Sequence, residues 1–332
     1  MKPFAYTSAE SLAEAIAILS QESGNGTRPL AGGTDLLTLM KPEIATPSHL
    51  VDIKRVSDLS DRIDESEDGV TIGTLCTLAE IERSELLRTR YMALAQAAEL
   101  AATPQLRNMA TIGGNLLQRP RCWYFRNDKI DCWLKSGSDC PARDGENQLH
   151  ALFPADSCVA VHPSDPAAAL LALDAELTVR GPGGERRIPL GDFFELPEDD
   201  RRTENTLRPD ELIVAIHLPG SAESVRSVYL KAMDRNVWAF ALVGVALALR
   251  VDGSRIASAR LVLSGVAPIP WRVPAAEQLL EGADVGGFDV DQVTEAALAD
   301  ARPLSRNGYK LPLARALIKR TLTQVTGSPA TT

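Results

Sequence analysis

Four of the five cysteines in this chain, Cys122, Cys132, Cys140 and Cys158, fall within 37 residues, in a stretch rich in arginine and aspartate. Thiolates are soft ligands for metal centres, whereas unliganded cysteines behave as small buried hydrophobes and have no reason to gather in a polar segment. The cysteine total is odd, and the first residues, "MKPFAYTSAE", lack the apolar run of a secretory signal. Both argue against a disulfide framework. The four cysteines are separated by 9, 7 and 17 residues, without the close C-x-x-C pair usual for zinc. An iron–sulfur centre is therefore the leading reading, and structural zinc or unliganded cysteines are the alternatives. A centre with four thiolates would order a segment whose few apolar residues could not offset the entropy of fixing it. Cys76, in "TIGTLCTLAE", stands apart on a strand-to-helix turn and reads as structural.

Paired glycines offer a second kind of chemistry. "LAGGTDLL" and "NMATIGGNLL" each set two glycines between an apolar segment and a following element. Without a Cβ in the way, backbone N–H groups can approach an oxyanion, and the adjacent Thr or Asn adds a donor. Two such turns could grip a pyrophosphate from both sides. Neither is a G-x-G-x-x-G fingerprint or a Walker A loop, and each alone also fits a plain tight turn.

The elements that must position these residues follow from periodicity. Thr7 and Glu10 make a T-x-x-E capping pattern ahead of Leu12, Ile16 and Leu19, which predicts a helix over 8–21. "RPLAGGTDLLTLMK" reads as a strand running through the glycine turn into an apolar-periodic segment. "HLVDI" and "GVTIG" read as strands joined by the acidic loop "DESEDG", and "TLAEIERSELL" and "YMALAQAAELAA" as helices. Regular periodicity then stops for roughly forty residues, far beyond an ordinary connection of about 2–6. It resumes with "SDPAAALLALDAELTVRG", a capped helix entering a strand. "RRIPLGDFF" and "ELIVAIHLP" read as strands separated by the solvated loop "PEDDRRTEN". A distinct final unit combines the strands "SVYLKAM", "FALVGVALALRV" and "ARLVLSGVA" with three helices. "VDGS" signals a hairpin between the second and third strands.

Composition bounds the function. The chain has 332 residues, 45% of them hydrophobic and 24% charged, which suits two or three packed units of a globular protein. A formal net charge of −9 disfavours nucleic-acid binding. The longest apolar run, Trp238 to Val251, is too short to span a bilayer as a helix. His49, His150, His162 and His217 are scattered and read as structural, and no triad or carboxylate pair suggests an independent substrate-oxidising site.

In order and spacing, "PLAGGTDLLTLMK", "VDI", "TIGTLCTLAEI", "QLRNMATIGGNLLQ", "HPSDPAAALLALDAELTV", "LRPDELIVAIHLP", "YLKAMDRNVWAFALVGVALAL" and "SGVAPIPWR" resemble the FAD-binding medium subunit of the xanthine dehydrogenase family of molybdenum hydroxylases. The insertion "QRPRCWYFRN…C…SGSDCPARDGEN…DSC" is similar to the branch carrying an extra [4Fe–4S] cluster, especially the bacterial aldehyde oxidoreductase flavin subunit. Medium subunits of 4-hydroxybenzoyl-CoA reductases and xanthine dehydrogenase relatives are rival placements, and a zinc-stapled scaffold without redox function is a rival of another class.

The resemblance implies an α+β fold: a two-part FAD-binding domain of the vanillyl-alcohol-oxidase (PCMH-like) type, then a C-terminal antiparallel sheet with helices like that of the CO dehydrogenase flavoprotein. The implied boundaries are 1–55 and 56–220 for the two FAD-binding subdomains, with the [4Fe–4S] insertion at about 118–160. The C-terminal α+β domain would run over 221–326 and a disordered tail over 327–332. FAD contacts would fall on Arg28, Pro29, Leu30, Ala31, Gly32, Gly33, Thr34 and Asp35 in the first turn, and on Asn108, Thr111, Gly114, Asn115 and Gln118 in the second. Asp165 would meet the ribityl region, with a helix N-cap as its plain alternative, and Leu212 and Lys231 would flank the flavin ring. Cys122, Cys132, Cys140 and Cys158 would ligate the [4Fe–4S] cluster, with Arg119, Arg121 and Arg126 supplying positive charge and Trp123, Tyr124 and Trp133 shielding it.

The implied protein is an oxidoreductase subunit in a heterotrimer. A large subunit would hold molybdopterin and oxidise aldehyde to carboxylic acid, a small subunit would hold two [2Fe–2S] clusters, and this chain would pass their electrons to an external acceptor. Such a complex is cytoplasmic, or reaches the periplasm by co-export with a partner carrying a twin-arginine signal.

Overall fold

The structure, a computed structural model, describes residues 1–21, 26–220, 225–236 and 238–327. The expected disordered tail lies almost wholly outside the described residues. Along the chain come β1 (Ala5–Ser8), α1 (Leu12–Gln21), β2 (Thr27–Leu30), α2 (Leu36–Met40) and β3 (His49–Asp52). These three strands form a parallel sheet in the order β1-β3-β2. The first helix begins later than the T-x-x-E pattern predicts. Thr7 belongs to β1, and its hydroxyl bonds His49 Nε2 at 2.9 Å across the parallel pair. Ser11 caps the helix instead, its hydroxyl accepting the Glu14 N–H at 3.2 Å.

The middle of the chain adds β4 (Ile63–Ser66), β5 (Gly69–Gly73), α3 (Leu78–Arg83), α4 (Glu85–Arg90), α5 (Met92–Glu99), α6 (Pro104–Arg107) and α7 (Ile112–Leu116). After the insertion come α8 (Asp165–Ala172), β6 (Glu176–Gly181), β7 (Gly184–Pro189), α9 (Leu190–Phe193) and β8 (Leu212–Pro219). The five-stranded sheet runs β4-β5-β8-β6-β7, with every pairing antiparallel. The first half of the acidic segment expected as a loop is in fact part of β4. An edge strand exposes one side to water and tolerates Asp64 and Glu65, which masks its strand character in the sequence. The stretch "RRIPLGDFF" leaves the strand at Pro189 and turns into α9. "TLAEIERSELL" divides at Ser84, whose hydroxyl caps α4 by accepting the Leu87 N–H.

The last unit consists of β9 (Val225–Ala232), β10 (Val243–Asp252), β11 (Arg255–Ser264), β12 (Trp271–Arg272), α10 (Pro274–Leu280), α11 (Val290–Leu298) and α12 (Lys310–Thr326). Its antiparallel sheet runs β12-β11-β10-β9. The Asp-Gly hairpin forms as expected, with Gly253 at φ +59° in the β10–β11 turn. The helix α8 joins the two large sheets. All eight of its residues are buried, and its short alanine side chains let it pack closely against α5, β10 and β11.

The insertion at 118–160 contains little regular structure, only a 3-10 turn over Trp133–Lys135. It nevertheless has a core of its own. Phe125, Trp133, Leu134, Cys132 and Cys158 pack with Leu39 of α2, so the segment docks on the element that follows the first glycine turn. Apolar contact thus supplies part of the order that the cysteine pattern suggested a metal centre must supply alone. Two large aromatic rings buried here are worth about 2–3 kcal/mol each. The loop expected to be solvated also takes part: Arg202 lies over the Trp133 ring at 4.8 Å and donates to the Trp133 and Gly137 carbonyls, while Trp133 Nε1 donates to Asp199.

The far limb of the insertion is fastened to the last unit. Lys310, fully buried at the start of α12, donates to the carbonyls of Leu149, His150 and Gly265 at 2.9–3.1 Å, and Asn307 donates to those of His150 and Ala151. An ammonium has three N–H donors, and three carbonyls receive them. Replacing Lys310 with Met should leave those carbonyls unpaired and lower unfolding stability by at least about 3 kcal/mol in urea titration. An unchanged midpoint would show that the cation is dispensable.

Candidate functional site

The first glycine turn leaves β2 at Leu30 and reaches α2 at Leu36, with β3 beside it. Gly33 has φ +71°, a conformation that disfavours any Cβ. Gly32 is required for another reason. A Cβ there would lie 1.8 Å from the Met109 carbonyl oxygen, so the first turn rests directly on the backbone of the second glycine segment. The backbone N–H groups of Gly32, Gly33, Thr34 and Asp35 find no acceptor among the described residues. The half-buried Arg28 guanidinium, four residues before Gly32, has no hydrogen-bonding or ion-pair partner among them either. Burial, with Arg119 as a like-charged neighbour, pulls its pKa below the ordinary range. A cation and, four residues on, a row of N–H groups, all without partners among the described residues, fit an anionic ligand.

In the second segment Thr111 caps α7, accepting the Gly114 N–H at 3.3 Å. Gly113 is a close-approach glycine, where a Cβ would strike Thr74 Oγ1 at 2.0 Å. Asn115 accepts the Ser164 hydroxyl hydrogen, and Ser164 Oγ in turn accepts the Ala167 N–H at the start of α8. Gln118 Nε2 donates to the Asn115 carbonyl, and Asn108 ends α6. Ser164, rather than Asp165, is the N-cap of α8.

Asp165 faces another way. Its carboxylate accepts from Lys231 Nζ at 2.7 Å and from the Tyr229 hydroxyl at 2.6 Å, and Lys231 also donates to the Leu100 carbonyl at 2.9 Å. Asp165 and Lys231 are almost completely buried, so this pair ties α8 to β9. Leu212 lies elsewhere, in the core of the first unit with Val56 and Leu75. The structure thus brings Asp165 and Lys231 together and places Leu212 apart from them.

The four clustered cysteines converge. Cys140 and Cys158 shift each other's ionisation in opposite directions, and Cys122, Cys132 and Cys140 lie within electrostatic reach of one another. The Ala160 N–H donates to Cys158 Sγ at 3.5 Å, and backbone N–H groups lie near the other three: Tyr124 and Phe125 near Cys122, Leu134 and Lys135 near Cys132, Ala142 and Val159 near Cys140. Such donors favour thiolates. Burial opposes them, pushing Cys122 up to about 11, while the mutual influence of the other pair draws Cys140 down and drives Cys158 up. Among the described residues no three His, Cys, Asp or Glu side chains close on a single metal-ion position. The donor set and its N–H shell suit a thiolate-ligated centre, and that suitability rests on donor chemistry rather than on a closed cage.

The arginines expected around the thiols are neutralised by named partners. Arg121 and Arg126 both pair with Asp35 at 2.7 Å, the Arg119 N–H donates to the same carboxylate, and Arg119 Nε lies 3.3 Å from the buried Glu204. Asp35 is therefore a clamp between the glycine turn and the insertion. His150, read as structural, also meets the cysteines, with Nε2 3.2 Å from Cys122 Sγ. A cavity of about 150 Å³ separates this pair from the 234–242 segment, with Arg121, Trp123 and Phe240 in its wall. Glu204 and His150 carried no local signal in the sequence.

With this geometry in place, the comparisons identify the lineage. Residues 2–221 match the FAD binding domain in molybdopterin dehydrogenase, and residues 228–325 match the CO dehydrogenase flavoprotein C-terminal domain. The chain belongs to the FAD-binding medium subunits of the molybdenum hydroxylase family. It is 40% identical to the aldehyde oxidoreductase FAD-binding subunit PaoB of Escherichia coli K12, covering 98% of both chains. It is 29% identical to the carbon monoxide dehydrogenase medium chain of Hydrogenophaga pseudoflava, covering 96% of each. A solved structure of carbon monoxide dehydrogenase from the same organism superposes with a TM-score of 0.77 at 28% identity, covering 98% of each chain. The two-part FAD-binding domain and the C-terminal sheet with helices are those of this family, and no described helix is long and apolar enough to cross a membrane.

As a medium subunit of this kind, the chain should depend on the Asp35 clamp for a rigid insertion. Asp35→Ala removes the acceptor of two guanidinium groups and one N–H, a loss of about 1.5–3 kcal/mol. Trypsin should then cut within 118–135 at least about tenfold faster than in wild type, and equal rates would show that the clamp bears no load.

Proposed function

We propose that this chain is the flavin and iron–sulfur electron-transfer subunit of a molybdenum-dependent aldehyde oxidoreductase. The observation that carries the flavin assignment is the row of Gly32 to Asp35 N–H groups without an acceptor among the described residues, four residues beyond an Arg28 guanidinium that has no partner among them either. Together they would hold the FAD pyrophosphate, with Thr111, Gly114 and Asn115 of the second segment on its other side. Bound FAD accepts electrons singly and releases them in pairs, which suits a junction between one-electron clusters and an external acceptor. The protein's own residues bind and orient it. Asp165, held by Lys231 and Tyr229, would act only by fixing the start of α8 behind the second segment.

Cys122, Cys132, Cys140 and Cys158 would ligate a [4Fe–4S] cluster, supported by their convergence and by the N–H groups near each sulfur. The aldehyde class is supported by the 40% likeness to the aldehyde oxidoreductase subunit over nearly the full length. Substrate oxidation would occur on a molybdopterin-binding large subunit, and a small subunit with two [2Fe–2S] clusters would deliver the electrons.

Two measurements test this reading. Arg28→Ala should raise the Kd for FAD by about ten- to a hundredfold, the equivalent of one charge-assisted hydrogen bond, and an unchanged Kd would remove Arg28 from the site. Purified chain should contain about four irons, and Cys140→Ser should lose them while retaining most of its flavin. One zinc per chain, or iron unaffected by Cys140→Ser, would contradict the cluster assignment.

A further inference from the structure

His150 lies at the cysteine cluster but outside the ligand set. Its backbone is fixed: the N–H donates to Asn147, and the carbonyl receives Asn307 and Lys310. Its ring is fixed too, meeting Trp123 edge-on at 5.2 Å. The two ring nitrogens have different surroundings. Nε2 sits 3.2 Å from Cys122 Sγ, whereas Nδ1 is buried with no full hydrogen bond among the described residues. A neutral imidazole carries a single N–H. A sulfur that ligates a metal centre carries no proton and can only accept, so the N–H that faces Cys122 belongs on Nε2. The Cys122 sulfur therefore receives a side-chain N–H in addition to the nearby N–H groups of Tyr124 and Phe125.

We propose that His150 is a positioning residue that donates its Nε2–H to the Cys122 sulfur and thereby raises the reduction potential of the cluster bound there. The inference rests on the cluster assignment above. Each electron added to a thiolate-ligated cluster increases its negative charge, and a hydrogen bond to a ligand sulfur stabilises that charge. Cys132, Cys140 and Cys158 have only backbone donors or a neighbouring thiol near them among the described residues, so Cys122 is the sulfur a side chain can tune.

The test is an EPR-monitored redox titration of the full-length chain, with iron counted in each sample. His150→Phe retains the ring and the contact with Trp123 but removes the donor, whereas His150→Gln restores a donor at similar reach. The expected result is full iron in both variants, a lower midpoint potential in His150→Phe and a return towards wild type in His150→Gln. An iron-loaded His150→Phe with the wild-type potential would overturn the proposal while leaving the cluster intact. Loss of iron from both variants would overturn it as well, since a tuning donor is not needed for assembly. Wild-type chain without iron would refute the underlying cluster assignment and the proposal with it.

Discussion

Asp35 is the residue on which the arrangement depends. Its backbone belongs to the glycine turn that leaves β2, and its carboxylate is held by Arg121, Arg126 and the Arg119 N–H of the insertion. One partly buried carboxylate with three donors fixes the turn and the cysteine segment as a single body. It also sorts the local charge. Arg119, Arg121 and Arg126 are paired with Asp35 and Glu204, and Arg28 alone among these cations has no partner among the described residues. The site's appetite for an anion is thus concentrated at the mouth of the first turn.

A second constraint comes from the backbone. The two glycine segments touch at Gly32 and Met109, and the second is laced to the turn before α3 by the N–H groups of Ile112 and Gly113 bonding the Cys76 and Thr74 carbonyls. Segments nearly eighty residues apart in sequence therefore form one rigid platform under the first turn, whose N–H groups have no acceptor among the described residues. The buried Asp165–Lys231 pair and the Lys310 staple extend that rigidity into the last unit, which a protein needs if its cofactors are to keep fixed separations.

Much of this was legible in the sequence because it is local. The glycine turns, the Ser164–Asp165 start of α8, the Asp-Gly hairpin and the grouped cysteines all declare themselves within a few residues, and the ordered series of segments pointed to the medium-subunit family. The features that stayed hidden depend on pairings distant in sequence. Thr7 looked like a helix cap because its partner His49 lies forty-two positions on. The strand β4 looked like a loop because an edge strand may carry charge on its open side. The segment around Asp199 to Glu204 looked solvated, yet Trp133, Gly137 and Arg119 reach it from the insertion. His150 had no signal at all, since nothing in its neighbourhood in the sequence announces Cys122.

On the proposed function, the N–H groups of Gly32 to Asp35, which have no acceptor among the described residues, are the anion seat of the flavin. Hydrogen–deuterium exchange of the flavin-stripped and FAD-replete chain measures those amides directly. FAD should slow exchange at residues 32–35 and leave the outer strand β7 unchanged. Equal exchange at residues 32–35 in both forms, with FAD demonstrably bound, would contradict it.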